Sequence, residues 1–143
     1  MSRPSRPVRN PKLVGERAEC AFLFQALSRG LAVSQPFGDS CAYDAIVDNG
    51  KRLFRVQVRS TRMHYGTHRG FQVSASHGRN KQENYTEADI ELLAVWIVPR
   101  NTWYLIPARI LDCGSLVFWP HVEKSRGRWE KYKEAWHLLT AEG

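Results

Sequence analysis

The chain has 143 residues, of which 43% are hydrophobic, 11% aromatic and 24% charged. That length suits one domain with a substantial core and is short for two. No apolar run approaches the roughly 20 residues of a membrane helix, and the arginine-bearing N-terminus lacks the apolar stretch of a secretory signal. Membrane spanning and export are therefore not expected, and a cytoplasmic location is.

The formal net charge is +7 and unevenly spread. Arg3, Arg6, Arg9 and Lys12 come with no acid in the first twelve residues. Residues 49–82 hold Lys51, Arg52, Arg55, Arg59, Arg62, Arg69, Arg79 and Lys81, again with no acid, and the remainder is net acidic. The partner that fits such a footprint is a polyanion, DNA or RNA. Cys20, Cys41 and Cys113 are scattered, outside any CxxC spacing, and read as reduced structural thiols.

In chain order, residues 1–12 with Pro4, Pro7 and Pro11 read as a disordered basic arm, and 13–143 as a single domain. A helix is expected over Val14–Arg29, closed by Gly30. Its inward stripe would be Glu19, Phe22, Leu23, Ala26 and Leu27, so a carboxylate opens a buried face. Glu16 falls in the first turn, where an acid suits the helix dipole. Leu31–Gln35 is a short strand. Ala42–Asp48 and Lys51–Ser60 follow as a hairpin turning at Asn49-Gly50. Residues 61–69 read as a polar loop and 70–75 as another strand. Leu92–Pro99 and Thr102–Pro107 make a second hairpin, with Ser115–Trp119 as an edge strand. Arg128–Leu139 is expected as a closing helix that buries Trp129, Tyr132, Ala135, Trp136 and Leu139. The outline is α/β with a mixed sheet flanked by helices.

Register brings the polar residues of the first hairpin together. A two-residue Asn49-Gly50 loop sets Asp44 opposite Arg55 and Ala42 opposite Gln57. Asp44, Arg55, Gln57 and Arg59 then share one face, while Phe54, Val56 and Val58 take the other. One carboxylate, an amide oxygen and a further carboxylate from Glu19 are hard oxygen ligands of the kind Mg²⁺ takes. A neighbouring cation would offset charge developing on a phosphate. Glu91 reads as structural. His64, His68 and His77 lie in the basic segment, where phosphate-facing or solvated side chains are expected rather than metal ligands.

These residues stand in a recurring order: G-E-R-A-E at 15–19, P-F-G-D-S-C-A-Y-D at 36–44, V-Q-V-R-S at 56–60, A-V-W at 94–96, W-Y-L-I-P at 103–107 and Y-K-E-A-W at 132–136. Over about residues 13–139 the chain resembles the PD-(D/E)XK nuclease superfamily. Within it, the likeness is to the small bacterial branch that includes a homing endonuclease, and to archaeal Holliday-junction resolvases. The resemblance implies a restriction-endonuclease-like core, binding of duplex or branched DNA, and phosphodiester hydrolysis with Mg²⁺, or Mn²⁺ as substitute. It implies catalytic roles for Glu19, Asp44, Gln57 and Arg59, with Asp44, Gln57 and Glu19 around the metal. It also implies a homo-oligomer, dimer or tetramer. Arg3, Arg6, Arg9, Arg55, Arg62, Arg69, Arg79 and Lys81 would contact DNA.

Arg59 stands where the superfamily has lysine. Arginine keeps the charge but stays protonated, so it cannot serve as a base. Lys51 lies too far along the strand to stand in for it. Two other readings stay open: a catalytically impaired or inactive DNA-binding module of the same fold, and a basic RNA-binding or ribosome-associated protein.

Overall fold

In a computed structural model of the chain, the structure describes residues 10–62, 64–65, 70–77, 83–124 and 127–140. Arg3, Arg6, Arg9, His68, Arg69, Arg79 and Lys81 lie outside the described residues, as do the side chains of His64 and His77.

Helix α1 spans Pro11–Ser28. It begins earlier than expected because Asn10 caps it, its side chain accepting from the Lys12 and Leu13 amides, and because proline suits the first helical position. The expected arm is therefore corrected at its end: Pro11 and Lys12 are helical. At the other end Gly30, at φ +78°, donates to Leu27 O and Leu31 donates to Ala26 O, the paired bonds of a Schellman stop. The buried stripe is Ala18, Phe22 and Ala26, with Leu23 half-buried and Leu27 56% exposed. The inward face is thus turned from the expected one, and Glu19 sits at its margin.

The strands are β1 (Ala32–Ser34), β2 (Ala45–Asp48), β3 (Leu53–Thr61), β4 (His64–Tyr65), β5 (Gly70–Ser74), β6 (Ser76–His77), β7 (Glu83–Asn84), β8 (Leu92–Ile97), β9 (Thr102–Pro107) and β10 (Ser115–Phe118). Among the described residues, five form one sheet in the order β1-β2-β3-β8-β9. Its β3–β8 pair is parallel and the rest antiparallel, which makes the expected mixed sheet. A smaller sheet, β10-β5-β4, and the β6–β7 pair come from the connections. One face of the large sheet (Val47, Phe54, Val56, Trp103, Leu105) packs on Phe22 of α1 and on Trp136 and Leu139. The other face (Leu93, Val95, Ile97, Ile106) packs on Phe71, Leu116 and Phe118 of the smaller sheet and on Tyr85. The large sheet is thus buried on both sides, and its central strand β8 is apolar on alternate and intervening positions alike. No helix among the described residues is long and apolar enough to cross a membrane.

Two expectations are corrected. The first hairpin turns at Gly50-Lys51, one residue later than expected. The Asn49 side chain accepts from the Lys51 and Arg52 amides, and Asn49 N–H donates to Arg52 O. Gly50 supplies the first central position at φ +88°. Ile46 therefore opposes Arg55, and Asp48 opposes Leu53. The shift along β3 is two residues, so every side chain keeps its face. The closing helix is also broken. A 3-10 turn at Glu130–Tyr132 is followed by an isolated bridge from Lys133 to Tyr104 and by Glu134 at φ +51°. Only His137–Thr140, here α2, is α-helical. The edge of β9 captures this segment: Glu134 N–H donates to Trp103 O, and its carboxylate accepts from Trp103 N–H and from the Trp136 indole. Trp129, Ala135, Trp136 and Leu139 are buried as expected.

Candidate active site

The corrected register sharpens the site. Asp44 lies just before β2, and its backbone N–H donates to Val56 O at 2.9 Å. Its carboxylate then accepts the Val58 amide at 2.8 Å, replacing the ladder bond that the strand no longer supplies. These two bonds bracket Gln57, which is 9% exposed. Asp44 is thus fixed across from Gln57, not across from Arg55. Gln57 and Arg59 share the sheet face that packs on the smaller sheet, since they pair with Leu93 and Val95 of β8.

Glu19 comes from the opposite layer and lies beside Asp44, both lining the same cleft. Its carboxyl is pushed up to about 7 by partial burial first, then by the Asp44 charge, the hydrogen bond to Asp44 and the charge of Glu16. A cation beside the pair would offset this repulsion and favour the ionised Glu19. That donor chemistry fits a divalent metal: the Glu19 and Asp44 carboxyls and the Gln57 amide are oxygen donors of the kind hard cations take. Among the described residues no three His, Cys, Asp or Glu side chains gather as a metal cage. An open cleft of about 670 Å³ lies against the pair, lined by Lys12, Glu16, Glu19, Asp39, Tyr43 and Asp44 among others.

Arg59 is half-buried, and its Nη2 donates to the Tyr85 hydroxyl at 2.8 Å. Arg55 is engaged elsewhere. Its guanidinium grips Glu91 at 2.8 Å and donates to Ala88 O and Glu87 O, while Glu91 also accepts the Arg55 amide. Burial alone would raise the Glu91 carboxyl, but the hydrogen bonds and charge of Arg55 hold it below the usual range. Glu91 is structural, as expected. Arg62 is exposed. The structure therefore brings Glu19 to Asp44, sets Asp44 against Gln57, and ties Arg55 to the 87–91 segment.

Tyr85 escapes sequence reasoning. It lies twenty-six residues from Arg59, in a stretch without strand or helix periodicity, and only the folded connection places it there.

A family profile described as PD-(D/E)XK endonuclease matches residues 9–139. The structure of a bacterial homing endonuclease, I-Ssp6803I, is similar at a TM-score of 0.81 and 26% identity, over 92% of this chain and 94% of that one. Hjc, a Holliday junction resolvase from the archaeal hyperthermophile Archaeoglobus fulgidus, is similar at a TM-score of 0.49 and 22% identity, over 73% and 80% of the two chains. That second likeness is too slight to bear on function. No curated protein sequence matches the chain.

Proposed function

The chain belongs to the PD-(D/E)XK endonuclease family and has a restriction-endonuclease-like fold, and on that premise we propose that it is a metal-dependent DNA endonuclease. The observation that carries the reading is the Glu19–Asp44 carboxyl pair beside an open cleft, with Asp44 held across from Gln57 by its bonds to Val56 and Val58. Asp44, Glu19 and the Gln57 amide would hold the metal. A divalent cation there supplies Lewis-acid chemistry, activating water and neutralising a phosphodiester oxygen.

The chain's own residues orient the rest. Asp44 is anchored by the Val58 amide, so its remaining oxygen is aimed without a search over rotamers. Gln57 adds a ligand without adding charge, which keeps the site from becoming too anionic for DNA. Arg59 sits beside the scissile phosphate and offsets its charge, and it takes no proton. Arg62 and the basic residues at 1–9 and 69–81 contact backbone phosphates. Arg55 holds the 87–91 segment in this reading. A homo-oligomer would supply the second active site that cutting both strands needs.

The test is supercoiled plasmid incubated with Mg²⁺, Mn²⁺ or EDTA. Nicked or linear product with either metal and none with EDTA supports the enzyme. The arginine at 59 favours a second reading, a DNA-binding module that has lost turnover. Intact plasmid in every metal, with binding retained, supports that module, and cleavage appearing in Arg59→Lys would secure it.

A further inference from the structure

Phe37 is 103% exposed, so nothing in the chain covers its ring. The other exposed large hydrophobic side chains among the described residues lie between 42% and 68%, and each keeps part of its surface covered. A phenyl ring wholly in water forgoes the entire gain of burial. Its place is the rim of the cleft that holds the carboxyl pair. Pro36, Gly38 and Asp39, its neighbours in the chain, line that cleft together with Lys12 and Glu19 of α1.

Three kinds of occupant could cover the ring, and its surroundings separate them. The loop at 35–43 carries no Lys or Arg and one acid, Asp39, so it offers a phosphate nothing. A second protein surface is a poor fit as well. The exposed neighbours Gln35, Gly38, Asp39 and Ser40 are polar or small, which leaves the ring isolated rather than part of a patch. One aromatic side chain buries roughly 150–250 Å², well short of the about 800 Å² per partner of a stable interface. A nucleobase matches on both counts: it is flat, uncharged and about the size of the ring, and every base has a π-face.

We propose that Phe37 is a base-binding residue, its ring stacking on an unstacked nucleobase of the DNA strand that enters the cleft. The inference rests on the DNA reading above and adds a base contact to a footprint otherwise made of phosphates.

The test compares the wild type with Phe37→Ala, Phe37→Leu and Phe37→Trp. Binding is followed in EDTA by fluorescence anisotropy across salt concentrations, on an intact duplex and on the same duplex with a short single-stranded gap. Stacking of one base on an aromatic ring is worth about tenfold in affinity. Phe37→Ala and Phe37→Leu should therefore bind the gapped duplex about tenfold more weakly at every salt concentration. Their slope of log K against log salt should equal that of the wild type, because no phosphate contact is lost. Phe37→Trp should bind at least as tightly as the wild type. The wild type should prefer the gapped duplex, whose bases need not be drawn from a stack, and Phe37→Ala should lose most of that preference. The ring packs on nothing, so the thermal midpoints should stay at the wild-type value. Wild-type affinity in Phe37→Ala or Phe37→Leu, or a lowered slope in either, overturns the inference alone. A smaller oligomer in Phe37→Ala than in the wild type gives the ring to a second copy of the chain and overturns it likewise. A wild type that binds neither duplex overturns the reading beneath it and the inference together.

Discussion

Asp44 illustrates how the carboxylate of the candidate site is held without being buried. One oxygen completes the β-ladder at Val58, and the group is left half-exposed beside Glu19. Glu19 carries a cost for this. Its carboxyl titrates near 7 in the folded chain and near 4.3 when unfolded. Between those values the folded state binds more protons, so metal-free stability falls as pH rises through the window and stays lower above it. Glu19→Gln removes the titration. In EDTA at pH 8 its thermal midpoint should exceed wild type by on the order of a few degrees, a modest gain because the group is partly solvated. At pH 5 the gain should be smaller. Thermal scans at the two pH values check the sign, and an equal difference at both would show that Glu19 is not the titrating group. Mg²⁺ at pH 8 should stabilise the wild type more than this variant.

At the scale of elements, the 85–91 segment depends on Arg55 and Glu91. Their side chains are 33% and 24% exposed, and Glu91 also satisfies a backbone amide. Replacing Glu91 with Ala leaves that amide without its carboxylate acceptor and takes the ion-pair partner from a half-buried guanidinium. Urea unfolding should show a loss of about 1–3 kcal/mol with an unchanged slope. Gly70 makes a second element-scale case. A Cβ there would come 2.8 Å from Val117 Cγ1 and 3.0 Å from the Trp119 ring. Gly70→Ala should therefore loosen β5 against β10 and cost about 1–3 kcal/mol by the same measurement.

These elements also show what is legible in a sequence. Gly30 and the apolar spacing mark α1, and β-branched alternation marks β3, because those signals are local. The hairpin turn is displaced by one residue because the Asn49 side chain supplies acceptors that the Asn-Gly rule assigns to backbone geometry. The C-terminal aromatics have helical spacing, yet Glu130 and Glu134 bond to β9 and to the chain beyond β10 instead. The Tyr104 hydroxyl donates to Glu130 at 2.6 Å, and Trp103 N–H donates to Glu134. Those bonds are tertiary and leave no trace in periodicity. Among the candidate site residues, Glu19, Asp44, Gln57 and Arg59 could be picked out from hairpin face and family resemblance, whereas the Tyr85 contact to Arg59 could not.

At the scale of the whole molecule, the acid-free windows and the carboxyl pair describe one division of labour. On the proposed reading, positive charge would gather DNA and the small anionic centre would take a cation. Binding to duplex DNA should weaken by about 0.9 log units per decade of salt for each phosphate contacted. Removing residues 1–9 takes away Arg3, Arg6 and Arg9, so the slope should fall by up to about 3. Fluorescence anisotropy across salt concentrations measures it, and an unchanged slope would remove the N-terminal arginines from the footprint. The central claim is that the Asp44 carboxylate supports metal-dependent strand cleavage. Wild type and Asp44→Ala, matched for DNA binding in EDTA, are to be compared side by side on supercoiled plasmid with Mg²⁺. The account predicts nicked product from the wild type and none from the variant; equal cleavage by both would contradict it.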